Sequence, residues 1–509
     1  MDRAAGSSPG GTTRVRAVLD IAACGFLPGA LAGVHLAGLI FFLNPGLPFT
    51  LGPVLRGVLV YGTLLGLASL ALHFPFTWPF TWRSAQRARR VLPWGLTVAL
   101  ATAALLDWTH ASRYAYFLPP GINERLIKTA LWLTLGALIC FYTALLHSLH
   151  RRRYGVRSRT GIAVLAVLSV YAMVERREAF RPRPGPAPRP AAVEAGPRTR
   201  LWVVGLDAAT LDAILPLAGQ GRLPFLASVL QGGAYGRLES ISPPRPEALW
   251  TTLATGKYPY KHGVTGGQAH ASGFLAPGSE LRLLPSGISF PSWGTLGNPG
   301  RPPRTQVREA LTLWEILPRL GMPAAVAGWP ASPTTSGRRT PDAEAVFLAI
   351  PGLRELSRDS FGGFQAVQFE GSQEPAARAA AERLADAYER LDRRLGEIWS
   401  RGSGPRVLAV VSAHGVEARG GWRGPTLKGS FGGAPDGVLL LYGEGVRPGA
   451  LLTGARLVDV TPTLLYGLGF PVARDLDGHV LTAAYDKAFL ARHPLTFLPS
   501  YEALEGAID

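Results

Sequence analysis

Asp207 closes the apolar run LWVVGL, and His414 follows a second run, VLAVVSA. Short continuous apolar runs of this kind read as buried strands, and in an open α/β sheet the carboxyl ends of the strands face the ligand crevice. A carboxylate and an imidazole placed there can bridge two strand ends through a hydrogen bond. The two cysteines, Cys24 and Cys140, both fall inside apolar segments, so neither a disulfide framework nor a cysteine zinc site is available. Glu247, Glu370 and Glu374 are further acidic candidates, but nothing in their spacing lifts them above solvated loop residues.

The elements that must position Asp207 and His414 alternate. RLPFLASVLQGG reads as a helix closing on Gly232 and Gly233. ALTLWEILPRLG before PAAVAGW repeats helix then strand, as does RAAAERLADAYERLDRRLGEIWS before VLAVVSAHG. GVLLLYG is a strand and DVTPTLLYGLG a capped helix. This order predicts a mostly parallel sheet with helices on both faces.

Upstream the chain is of another kind. Of 509 residues 47% are hydrophobic, enough for a membrane part and a domain with a full core. Apolar segments from about 17 to 44, 53 to 74, 91 to 106 and 127 to 149 are each about as long as a membrane crossing requires. The first is too long for the apolar core of a cleaved leader and reads as an anchor. A fifth segment, Gly161 to Val174, is shorter and ends against Glu175, Arg176 and Arg177. It is read as a span, with an interfacial helix or re-entrant segment as the alternatives.

The net charge is +17 and its basic residues are almost all arginine, with clusters that flank these segments and no nucleic-acid motif, so nucleic acid is not an expected partner. Arg14 and Arg16 precede the first span; Arg83, Arg87, Arg89 and Arg90 follow the second; Arg151, Arg152, Arg153, Arg157 and Arg159 follow the fourth. Counted by loop, this places the N-terminus in the cytoplasm. Five spans then put the C-terminal domain on the extracytoplasmic side, and four leave it inside. His35, Arg56 and His73 are polar residues in spans. Arg56 and His73 lie near span ends, where snorkelling accounts for them, which leaves His35 as the one hint of a transport path. The proline-rich RPRPGPAPRPAAVEAGPRTR, Arg181 to Arg200, reads as a semi-rigid linker that marks the domain boundary.

GLDAAT, RLPFLASVLQGGAYGRL, ALWTTLATGKYPYKHGV, LWEILPRLGMPAAVAGW, VLAVVSAHG and VDVTPTLLYGLGFPVARDLDGHVL stand in an order that resembles the type I phosphodiesterase and nucleotide pyrophosphatase branch of the alkaline phosphatase superfamily, from about Leu201 to Leu481. The resemblance implies a hydrolase with two metal ions, usually zinc, and a Thr or Ser nucleophile at the start of a helix. Carried over residue by residue, it fails at most positions. Asp207 matches the first ligand, but the nucleophile position is Pro246, which suits a helix start and has no hydroxyl. Ser242, Thr251 and Thr252 are the neighbouring hydroxyls. The family's Asp and His, four residues apart after a strand in a context like FEG, fall on Gln373 and Ala377, following Phe369, Glu370 and Gly371. Its Asp-His-Gly becomes Ala413, His414 and Gly415, and its last His becomes Gly433. His262 matches a family histidine and is read as structural.

Two metal ligands of the family set, Asp207 and His414, are too few for zinc, which takes three or four protein donors. No cofactor is therefore expected; zinc or another divalent metal belongs to the site only if it is active. The expected organisation is a cytoplasmic N-terminus (1–16), a transmembrane region (17–174), a linker (175–200), an alkaline phosphatase-like α/β domain (201–485) and a C-terminal tail (486–509). Such a protein would bind or scaffold at the cell envelope, its partners being the bilayer and a lipid, an envelope ligand or a protein. The alternatives are an active phosphodiesterase or phosphatase-type hydrolase or phosphotransferase with altered ligands, and a helical region that handles a lipid or envelope precursor.

Overall fold

The computed structural model describes residues 10–150, 154–174, 199–286, 290–298, 300, 308–330, 343–421 and 424–502. Most of the linker, Arg151 to Arg153 and the end of the tail lie outside these residues. The chain divides into two compact units: Met1–Arg181 together with Gly267–Pro303, and Pro182–Gly266 together with Arg304–Asp509. Each is described by itself.

The first unit is built on five helices, α1 (Gly10–Leu43), α2 (Leu51–Thr77), α3 (Trp82–Arg113), α4 (Pro120–Leu149) and α5 (Val156–Val174). The first four are long and apolar enough to cross a membrane, and the protein is an integral membrane protein. α3 starts nine residues before the apolar segment at 91, so that its first turns carry Arg83, Arg87, Arg89 and Arg90. Arg89 there pairs with Asp20 of α1 at 2.5 Å, beside a cluster of Ala17, Ile21, Cys24, Ala85 and Ala88. The N-terminal ends of α1 and α3 therefore lie together. α1 and α2 are in close contact where Gly29 and Gly33 face the backbone of α2: a Cβ at either would come within 2.1 Å of the carbonyl oxygens of Leu65 and Tyr61.

α5 starts beside the C-terminal end of α4, where His147 bonds Ser158 at 2.9 Å. Farther along, Ile162 and Leu165 pack on Leu100, Leu133 and Cys140. Near its end Ser169 meets Nε2 of His35 at 3.1 Å. Its 19 residues at a rise of 1.5 Å give about 28 Å. Residues 267–303, which the sequence reading put inside the α/β domain, belong to this unit, and Leu275, Leu281 and Phe290 share a core with Leu36, Ile40, Phe41 and Tyr61.

The second unit is a mixed α/β sheet. In chain order it runs β1 (Arg200–Leu206), α6 (Leu211–Gly219), α7 (Pro224–Gly232), β2 (Ala234–Glu239), α8 (Pro246–Thr255) and α9 (Pro259–His262). The inserted segment carries β3 (His270–Ala271), β4 (Glu280–Leu281) and α10 (Phe290–Gly294). There follow α11 (Leu313–Arg319), β5 (Ala324–Ala327), β6 (Ala345–Ile350), α12 (Leu353–Glu370), α13 (Pro375–Ser400), β7 (Arg406–Ser412), β8 (Glu417–Gly421), β9 (Gly424–Ser430), β10 (Gly437–Gly443), β11 (Ala450–Arg456), α14 (Val460–Gly467), β12 (Val472–Ala473), α15 (Lys487–Arg492) and β13 (Phe497–Leu498).

Seven strands pair in the order β11-β2-β10-β7-β1-β6-β5, all parallel except β10. One side of the sheet packs Val204, Leu408, Val410 and Leu440 against α6, α7, α12 and α13. Another group packs rings instead, with Trp329 edge-on to both Trp250 and Phe347. The end of the chain is part of this unit as far as it is described: β13 pairs with β12, and Tyr501 is buried with its hydroxyl donating to Pro471 O at 2.5 Å.

Candidate functional site

Parallel pairing of β1 with β6 and β7 brings the loops after these three strands to one edge. The loop after β1 supplies Asp207 and then turns through Ala208, whose φ of 69° is rare for a residue with a Cβ. Ser412, the last residue of β7, ties two of the loops: its hydroxyl accepts from Ala209 N–H at 3.1 Å and donates to His414 O at 2.7 Å. Gly415 has to be glycine, since a Cβ would lie 2.2 Å from Asp436 O.

His414 is 1% exposed. Its Nδ1 lies 2.9 Å from Gly415 O, a carbonyl that can only accept, so Nδ1 carries the proton and Nε2 offers a lone pair. Arg354 fills that lone pair, its Nη1 donating at 2.8 Å. Arg354 is the second residue of α12, in the loop-to-helix step that follows β6. Its guanidinium lies 4.7 Å over the ring of Phe431, which also meets the His414 ring edge-on at 5.3 Å. Asp207 Oδ1 is 3.1 Å from His414 Nε2 and 3.6 Å from Arg354 Nη1, without hydrogen-bond geometry to either. With Nε2 unprotonated, attraction at this corner comes from the guanidinium, which neighbours both the carboxylate and the imidazole as their shared cation.

The other expected positions lie elsewhere or carry other groups. Pro246 is the first residue of α8, after Arg245. The neighbouring hydroxyls are committed: Thr251 donates to Glu247 O at 2.7 Å, and Thr252 pairs with His262 at 3.0 Å. Ser242 is exposed before the helix, as is Glu247 in its first turn. Phe369 and Glu370 end an 18-residue helix, not a strand, and Gly371 caps it. Gln373 and Ala377 follow that cap: Gln373 is exposed, with Nε2 3.4 Å from Gly371 O, and Ala377 is buried where α13 packs on α12. At 1.5 Å per residue the far end of α12 is about 25 Å from Arg354. Ala413 is buried, its carbonyl taking a bond from Ser240 at 3.1 Å, and Gly433 N–H donates to Glu417 at 3.2 Å. Glu374 is an exposed helix cap. His262 is fully buried, accepts from Val264 N–H at 3.1 Å, and is held neutral by burial, its pKa brought down to about 3.

A zinc pair does not fit these residues. Among the described residues no group of three or more His, Cys, Asp or Glu could hold a metal ion. The one imidazole lone pair at the site is already bonded to a fixed cation. Arg354, Phe431 and Ser412 are the residues that sequence reasoning missed. Arg354 directly follows the apolar run AVFLAIPGL, and that run is the signal that could have pointed to it.

The seven-stranded sheet places Asp207 and His414 on neighbouring loops at one edge of the α/β unit. Residues 201–351 match the family model for type I phosphodiesterase / nucleotide pyrophosphatase. Apart from residues 267–303, the match falls within the α/β unit, which is similar to this phosphodiesterase branch. No curated protein matches the chain in sequence. Similar solved structures include murine ectonucleotide pyrophosphatase / phosphodiesterase 5, at 12% identity and a TM-score of 0.38, covering 53% of this chain and 95% of that one. An inactive variant of the same murine protein in complex with AMP is similar at 12% identity and a TM-score of 0.37, with the same coverage of both chains.

Proposed function

We propose that the α/β unit is a binding or scaffolding domain without phosphoryl-transfer activity, held at the cell envelope on the extracytoplasmic side by a five-span helical unit. One observation carries the first part: the Arg354 guanidinium bonds His414 and neighbours Asp207, where a metal-dependent relative needs a cation it can coordinate. Pro246 at the start of α8 supports the same reading, because a ring without a hydroxyl cannot attack phosphorus. The ligand is a lipid or envelope component, or a protein partner.

The side of the membrane is supported by the arginines at the N-terminal ends of α1 and α3, which the positive-inside rule places in the cytoplasm. It is supported too by α5, whose contacts progress from the end of α4 towards His35 over about the thickness of a hydrocarbon core. A second reading has its own observation. His35 and Asp107 are buried within the helical unit, 3% and 4% exposed, where ionisable groups are costly and often functional. In that reading the helices handle a lipid or envelope precursor.

Hydrolysis of an aryl phosphodiester by the purified full chain, with and without added zinc, tests the main reading. Turnover no greater than that of Asp207→Ala is expected. Zinc-dependent turnover abolished by Asp207→Ala would establish an active hydrolase with altered ligands.

A further inference from the structure

We infer that residues 267–303 are a docking element whose backbone is gripped by one end of the helical unit, forming an anchor independent of the proline-rich linker. Five side chains make the grip. Asn44, just after α1, accepts from the amides of Arg282 at 2.7 Å and Leu283 at 3.1 Å and donates to Leu283 O at 2.8 Å. Arg56 of α2 donates from Nε and Nη2 to Leu275 O, at 3.1 and 2.8 Å. Tyr61 of α2 donates to Gly294 O. His110 of α3 accepts from Ser286 N–H at 2.7 Å, a role fixed by its Nδ1, which lies 2.6 Å from Leu106 O. Tyr114 donates to Leu284 O at 3.1 Å.

Every one of these bonds reaches a main-chain atom of the segment, so the grip fixes a chain path. It also accounts for the polar residues. Asn44 and His110 are 6% and 0% exposed, and a buried polar group without a partner is costly. The segment supplies their partners, and it closes the apolar surface with Leu275, Leu281 and Phe290.

All five gripping residues lie towards the C-terminal ends of α1 and α3 and the N-terminal half of α2. That end is opposite the arginine-bearing starts of α1 and α3. The segment is joined to the α/β unit by the chain itself, at 266/267 and 303/304. Which side of the membrane the gripping end faces rests on the orientation proposed above; the docking does not.

The test is cleavage of the linker. A protease site is placed within residues 181–200 of the full chain, and protease is added outside intact spheroplasts. The fragment from about residue 200 onward is expected to sediment with the membranes after cleavage. In Asn44→Ala/His110→Ala it is expected to be released, most of it into the supernatant. Leu275→Asp/Leu281→Asp, which leaves every helix residue intact, should release it as well, so that a folding defect in the helices is not mistaken for loss of the grip. Release of the wild-type fragment would overturn the docking, and so would retention in both variants. Cleavage only after permeabilisation would overturn the orientation alone.

Discussion

Arg354 Nη1 donates to His414 Nε2 across 2.8 Å, and the same nitrogen stands 3.6 Å from Asp207. Asp207 and His414, the two residues that the sequence resemblance matches to metal ligands, are thus neighbours of a side-chain cation supplied by the helix that follows β6. Arg354→Ala would leave the Asp207 carboxylate without its cation and the buried Nε2 without a donor. Loss of about 1–3 kcal/mol is expected, since charge-assisted hydrogen bonds contribute in this range and the pair is partly screened. Thermal unfolding of the full chain in detergent checks it, and an unchanged melting temperature would show that the guanidinium is only a surface neighbour.

Restoring the hydroxyl should not restore chemistry. Pro246→Thr places a family-type side chain on the first residue of α8. Without ligands to hold two ions, turnover of an aryl phosphodiester is expected to stay at background. Turnover in this variant would mean that other residues complete the centre.

Gly415→Ala tests how tightly the His414 loop is set. Its Cβ would lie 2.2 Å from Asp436 O, a backbone atom that cannot swing away. Overpacking of this kind costs about 1–3 kcal/mol, read as a lower melting temperature. An unchanged melting temperature would show that the loop after β7 is free to shift.

Acid should destabilise the α/β unit through His262. Burial lowers its pKa from 6.5 to about 3, so between these values the unfolded chain binds a proton that the folded one does not. The stability this histidine contributes is complete above pH 6.5 and is lost as pH falls toward 3, with a slope of up to about 1.4 kcal/mol per unit. Denaturant titrations from pH 7 to 4 should show a shallower slope for His262→Asn than for the wild type. Equal slopes would remove His262 as a cause.

The described end of the chain should be needed for stability. The Lys257 ammonium is 7% exposed and is held by Asp475 at 2.7 Å and Glu502 at 2.5 Å. Truncation after Leu498 removes Glu502 and the buried Tyr501. About 3–5 kcal/mol should be lost, the range seen when a large buried aromatic side chain is removed, with a correspondingly lower melting temperature. A truncated chain as stable as the full one would contradict this.

What the sequence revealed divides by the range of the interactions. β1, β7, β10, α13 and the first four membrane helices are continuous apolar or periodic runs, and they are legible because the signal is local. β10 was legible as a strand, but not as the antiparallel one, because direction is decided by the neighbours it pairs with. The segment FEG is ambiguous in sequence; α12 claims it because the helix beginning at Leu353 continues through Gly362 and Gly363 as far as Gly371.

The site was half legible. Asp207 and His414 stand at the ends of the two plainest strands. Arg354 bonds a histidine 60 residues away; the run AVFLAIPGL before it marks a strand end but not that pairing. The docking segment was not legible at all. Its partners in α1 and α3 lie 170 or more residues away and bond its backbone, which leaves no side-chain pattern to read.

We propose that a guanidinium stands in the place of metal at Asp207 and His414. The direct measurement is the metal content of the full chain, purified in detergent after growth with added zinc and manganese. The account predicts no stoichiometric metal, and a melting temperature that neither chelator nor added zinc moves. Two tightly bound metal ions per chain, lost in Asp207→Ala, would contradict it.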